Sequence, residues 1–181
     1  RLEAEAVRDA MLAVSGKLDL ARPAKPLIAT AGEGTVGQAV FEPEIRKIEA
    51  PVRSVYLPRV RSVLPEMMEL YDAPDASNVM GARETTTVPL QALHALNSAF
   101  VRQQAEAFAD RLGKLTVFEQ LDHAWLSAFG RPPTAKEREL ANAFSFEIEA
   151  SLEGPRTQSQ REALITLAQS LLCAAEFVVV D

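Results

Sequence analysis

Glu119 and His123 stand four residues apart, a spacing that puts both on one helix face and can supply two ligands to a metal ion. Two ligands do not complete a site, and no second pair of this kind accompanies them, so a solvated helix pair is the competing reading. His94, the other of the two histidines, reads as a helix-surface or partly buried residue. The segment Gly32–Gly37, GEGTVG, follows the strand-like LIATA and has the G-x-G-x-x-G spacing that lets a pyrophosphate approach the backbone at a helix N-terminus. Pro43 interrupts the continuation and no βαβ alternation follows, which makes a glycine loop the simpler account. No serine lies in a G-x-S-x-G elbow, and no nucleophile–base–acid set can be assembled. Cys173 is the sole cysteine, so this chain can form no internal disulfide, CxxC metal knuckle or CxxCH haem attachment. Among Leu171, Leu172 and Ala174 it reads as a small apolar filler of a helix face.

A basic and polar cluster carries more chemical content. Arg46, Lys47, Arg53, Arg59 and Arg61 are concentrated in an otherwise acidic chain, and Arg83, Thr85, Thr86, Thr87, Gln91 and Asn97 surround a helix start. Guanidinium forks, hydroxyls and free backbone N–H groups can together hold a carboxylate, sulfate or phosphate. The candidate ligand-binding set is therefore Arg53, Arg59, Arg61, Arg83, Thr86, Thr87, Gln91 and Asn97, with no catalytic and no metal-binding residue assigned. The alternative is structural: the threonines cap, Gln91 and Asn97 bridge helices, and the arginines pair with Glu66, Glu69 or Asp72. Both readings stand at the level of sequence.

The elements that must position these residues are mainly helical. With 48% hydrophobic but only 6% aromatic residues, the composition suits packed helices better than a sandwich of strands. A length of 181 residues fits one domain with a substantial core. The net charge of −6 offers no general attraction to nucleic acid or to an anionic membrane. No apolar run reaches the length of a membrane span.

Residues 2–14 place Leu2, Ala6, Val7, Ala10, Met11 and Val14 on one helical stripe, with Gly16 at its C-terminal stop. Because the chain opens directly on this helical pattern, it is expected to be a piece excised from a longer protein. From Lys17 to Pro51, prolines and glycines break the periodicity, predicting a long connection that is either flexible or a functional loop laid over the surface. Val52–Leu57 and Phe177–Val180 are the two strand candidates, able to pair into a small ribbon. Pro65 opens a short helix through about Tyr71.

Pro89 opens a longer one, capped by Thr86 or Thr87 and carrying Leu93, Leu96, Phe100, Ala107, Phe108 and Leu112. A further helix carries Val117, Leu121, Ala124, Trp125, Ala128 and Phe129 and stops at Gly130. Thr134 and Glu137 form a capping box for the next, which runs to Leu152, and Ser159 with Glu162 repeats the spacing for the last. The expected fold is thus a bundle of five to six helices with an irregular N-terminal loop region. It is a single domain in which residues 1–85 hold the helix, loop and strand region and 86–181 the bundle.

Several phrases resemble a known family. RLEAEAVRDAMLAVSGKLD, RSVYLPRVRSVLPEMMELYDAPDAS, ARETTTVPLQALHALNSAFV, WLSAFGRPPTAKERELA and LAQSLLCAAEFVVVD are similar, in this order, to the planctomycete secreted domain family. The resemblance spans the chain except for about Leu20–Pro51. One departure is LLCAAEF, where the family usually has LLNSNEF, so Cys173 and Ala174 replace an Asn-Ser pair. The family's Arg-Thr-Thr-x-Pro-x-Gln-Ala-Leu pattern maps approximately onto Arg83, Thr86, Thr87, Pro89, Gln91, Ala92 and Leu93, with Glu84 and Thr85 intervening after the arginine, and its Leu-Asn-Ser onto Leu96, Asn97 and Ser98.

The resemblance implies a C-terminal domain of unknown function in an exported, extracytoplasmic protein that often carries a cytochrome c-like domain. Any haem would belong to that separate domain, and this chain is expected to hold no cofactor of its own. The implied partners are the parent's other domains, and cell-surface proteins or glycans. Two functions follow as expectations: a non-catalytic interaction or scaffold domain, or an accessory part of a redox or polysaccharide-processing enzyme that holds an anionic substrate near Arg83.

Overall fold

The computed structural model describes residues 1–31, 46, 50–60, 63–74, 77, 81–83, 86 and 88–180. Among them lie eight helices and no strand: α1 (Ala4–Ser15), α2 (Glu66–Leu70), α3 (Pro89–Asn97), α4 (Ala99–Leu112), α5 (Val117–Phe129), α6 (Ala135–Ser151), α7 (Arg156–Leu172) and α8 (Ala175–Val178). Short 3-10 turns cover Leu27–Ala31 and Ser54–Tyr56. The chain divides into two compact units, residues Arg1–Ala10 with Leu18–Gln91, and Met11–Lys17 with Ala92–Asp181. The divisions fall inside α1 and α3. GEGTVG at Gly32–Gly37, and Lys47, Arg61, Thr85 and Thr87, lie outside the described residues.

In unit 1 the first turns of α1 supply both apolar and polar anchors. Val7, Val52, Leu57, Leu64, Met67, Met68 and Tyr71 are its principal buried side chains. Arg8 is also buried, and its guanidinium donates to Val52 O at 2.9 Å, Ala50 O at 2.5 Å and Ser54 Oγ at 3.2 Å. Asp9 accepts from the Ser54 N–H at 2.7 Å and its hydroxyl at 2.6 Å.

These bonds explain why Val52–Leu57 is not a ribbon strand. The Val52 carbonyl and the Ser54 N–H are taken by side chains of α1, and the Tyr56 and Leu57 N–H groups donate back to Arg53 O and Ser54 O in a 3-10 turn. Among the described residues its strand-like pairing is a single parallel bridge between Val52 and Asp19. The other expected strand is also corrected, since Phe177 and Val178 close the short helix α8 and Phe177 is buried there.

Unit 2 is built around α7, which packs along α4 and α6 with lighter contact to α5. Its centrality shows in its burial: Ala163, Ile165, Leu167, Ala168, Leu171 and Leu172 are covered, more than one face of a helix would need. Phe108 and Val101 of α4 and Ala124 and Trp125 of α5 complete the core. Burying a side chain such as Phe108 contributes about 1.5–3 kcal/mol.

Helix ends in this half are closely specified. Thr134 and Glu137 form the expected capping box, and Gly130 adopts the left-handed φ of 71° that ends α5. Gly16 is left-handed as well, at φ 75°, and leaves room for Arg111, whose guanidinium caps α1 by donating to Val14 O.

Three expectations are corrected. The helix beginning at Pro89 breaks at Ser98, whose extended backbone (φ −67°, ψ 127°) starts α4 afresh. In consequence Leu93 and Leu96, placed by periodicity on the core stripe, are more than half exposed. Ser159 is no N-cap: α7 begins three residues earlier, after Pro155, and Ser159 is buried within its first turns.

Candidate functional site

The polar cluster of unit 1 is built on the start of α1. Glu3 and Glu5 meet Arg83, which donates from Nη1 to Glu3 Oε2 at 2.8 Å and to Glu5 Oε2 at 2.9 Å. Arg59 donates to the other oxygen of Glu5, and through Nη1 to Pro74 O at 3.3 Å. Burial works against the Glu5 charge, but its own backbone N–H, the Arg83 hydrogen bond and the Arg83 and Arg59 charges outweigh it and hold the pKa below the ordinary value. One carboxylate therefore already occupies the position that a bound anion would take between two guanidinium groups.

The remaining candidates do not join them. Arg53 faces Asp9 at 3.8 Å and is half exposed. Arg46 bonds Glu69 at 2.6 Å and Leu64 O at 3.1 Å. Thr86 is turned to Asp72, donating from its N–H at 2.7 Å and its hydroxyl at 2.8 Å. Gln91, buried, ties α3 to α2 by donating to Leu70 O at 2.9 Å and also to Thr86 O at 3.0 Å. Asn97 belongs to unit 2 and donates back along its own helix to Leu93 O at 2.9 Å. Arg59 and Arg83 thus converge, Thr86 and Gln91 form a separate junction, and Arg53 and Asn97 stand apart.

Glu119 is engaged in a capping box with Thr116, whose hydroxyl and backbone N–H hold its carboxyl below the ordinary range. Burial pushes the Cys173 thiol up to about 11, which disfavours its thiolate at neutral pH. Among the described residues no group of three or more His, Cys, Asp and Glu side chains can hold a metal ion. No helix among them is long and apolar enough to cross a membrane.

Unit 2 contains a feature that periodicity did not reveal. At one end α5 and α6 are joined by a tight turn, where Arg131 grips both Glu137 (2.7 and 2.9 Å) and Glu176 (2.6 and 2.7 Å). Toward the other end lies an open cleft of about 580 Å³, walled by the first turns of α5 and the last turns of α6 and floored by α4 and α7. Its base is apolar, with Ala109, Leu121, Ala163, Leu164 and Leu167. Its α6 wall presents Asn142, Ser145, Phe146 and Glu149, which share one helix face by their spacing.

Phe146 is 73% exposed, and Val117 on the opposite wall is 75% exposed. Thr157, Gln160 and Arg161 enter from α7, and Lys114 and Gln120 from the α5 side. Arg161 is bonded to Asp110 at 2.9 Å. Asn142, Ser145, Thr157 and Gln160 make no side-chain hydrogen bond with any described residue. The legible signal was the polar-aromatic stripe at positions 142, 145, 146 and 149, but that face became a wall only when α7 was set beneath it.

The profile of the family described as Protein of unknown function (DUF1553), PSD1, matches residues 1–145. The matched part takes in the Pro/Gly-rich stretch that the resembling phrases skip, and it stops short of α7. Comparison with curated proteins and with solved structures returns no match.

Proposed function

This chain belongs to the PSD1 family, proteins of unknown function, and from that premise we propose that it is a non-catalytic interaction and scaffold domain of an exported, multidomain protein. One observation carries the reading. The charged groups best suited to chemistry, Arg59 and Arg83, are neutralised by Glu3 and Glu5, whereas Asn142, Ser145, Thr157 and Gln160 of the unit 2 cleft bond to no described residue through their side chains. Side chains already satisfied by one another hold a fold together; side chains open to water at a concave surface can exchange that water for a ligand. In the same reading the parent is an extracytoplasmic, planctomycete-type protein, and any haem is held by a cytochrome c-like domain distinct from this one.

The test compares the full-length protein with a form lacking residues 1–181, measuring export, haem retention and binding to isolated cell-surface material. Loss of binding with haem content unchanged is the expected result. Turnover of a substrate by this chain alone, abolished by Arg83→Met, would replace the proposal with the enzyme-accessory reading.

A further inference from the structure

We infer that the unit 2 cleft binds a neutral oligosaccharide, an assignment that rests on reading the domain as an interaction module. Four features select this chemistry. The cleft volume, about 580 Å³, lies within the range of small-ligand sites, roughly 300–1,000 Å³. Phe146 holds an aromatic ring open to solvent on the wall of a long helix, and such a ring gains by covering an apolar face. The C–H face of a sugar ring is flat and apolar, while its rim carries hydroxyls. Asn142 and Ser145 beside this ring on α6, with Thr157 and Gln160 from α7, offer uncharged groups that both donate and accept, as sugar hydroxyls do.

Charge separates this ligand from others. Lys114 and Glu149 are of opposite sign, and Arg161 is already bonded to Asp110, so the cleft carries no net charge to favour a phosphate or a polycation. A partner helix is disfavoured for a different reason. Its backbone groups are satisfied internally, so an apolar helix face covering the cleft would strand four amide and hydroxyl side chains without partners, at about 1–3 kcal/mol for each that is buried. A fatty chain would strand them in the same way.

The experiment titrates the intact chain with cellotetraose, maltotetraose, mannotetraose and chitotetraose, followed by amide chemical shifts. At least one is expected to saturate, with the changes confined to α5, α6 and α7 around the cleft. Phe146→Ala should weaken that binding about tenfold, and Asn142→Ala by a smaller factor. Both side chains are exposed, so the variants should retain the parent's thermal transition. Saturable binding to none of the four would overturn the inference, as would binding that Phe146→Ala leaves unchanged. Tighter binding of dodecanoate than of any sugar at the same cleft would also overturn it. If the sugars fail while removal of residues 1–181 still abolishes cell-surface binding by the full-length protein, the ligand class is wrong and the interaction reading stands.

Discussion

Unit 1 and unit 2 use charge in opposite ways. In unit 1 a buried arginine and paired carboxylates take the place of regular secondary structure: Arg8 holds three acceptors of the segment Ala50–Ser54, and Arg59 and Arg83 clasp Glu5. In unit 2 apolar helix faces supply the cohesion, and ion pairs such as Arg131–Glu137 and Arg102–Glu162 lie at the periphery. The contrast teaches that a conspicuous group of arginines need not mark a binding site. What matters is whether the side chains around it have acceptors to spare.

Mutations should separate the two modes. The largest effect belongs to unit 2: Phe108→Ala, at a side chain 1% exposed, should cost about 3–5 kcal/mol. Hydrogen exchange should then accelerate in α4 and α7, with Trp125, the single tryptophan, reporting the same transition. Next comes Arg8→Met in unit 1. Leaving the carbonyls of Ala50 and Val52 and the Ser54 hydroxyl without their donor should cost about 3 kcal/mol, seen as faster exchange across residues 50–57. If Arg8→Met proved neutral, the claim that side chains replace the missing strand pairing would fail.

Smaller effects sharpen the picture. Gly16→Ala meets both a positive φ and the Arg111 side chain, whose Cδ would lie 2.9 Å from the new Cβ. A loss of about 1–2 kcal/mol is expected in chemical denaturation. The smallest effect is pH-dependent. The Arg131 hydrogen bond, with the backbone and hydroxyl of Thr134, holds the Glu137 carboxyl well below its ordinary value. A carboxyl depressed on folding adds stability that is complete above its unfolded pKa of about 4.3 and fades as pH falls toward the folded value. The melting-temperature gap between the parent and Arg131→Met should therefore be widest at neutral pH and close in acid. A gap undiminished in acid would assign Arg131 a purely steric role.

Much of the helical part was legible because periodicity and caps agreed. Residues 2–14 with Gly16, the 117–129 stripe ending at Gly130, and Thr134 with Glu137 each combined an apolar pattern with a terminus signal. Failures came where one signal was read without the other. Ser159 and Glu162 have the spacing of a capping box, but Pro155 had already supplied a helix start. Thr116 and Glu119 form a true box, a role for Glu119 that its i,i+4 spacing to His123 masks in the sequence.

Leu93 and Leu96 continue the 3.6-residue rhythm, yet the extended backbone of Ser98 rotates the stripe out of register, and nothing local in the sequence announces that break. Of the candidate site, the pairing of arginines with carboxylates was foreseen in kind. The partners Glu3 and Glu5 were not, since they lie more than fifty residues away along the chain. The cleft was hidden for the same reason, being made by the relative placement of four helices.

The central claim is that the Arg59 and Arg83 guanidinium groups of unit 1 are structural and closed to ligands. Its most direct test follows the Nε–Hε signals of Arg59 and Arg83 while sodium sulfate and then glucuronate are added to the intact chain. Small shifts that track ionic strength and never saturate are predicted. A saturable shift at either arginine, lost on replacing the other with methionine, would contradict the account.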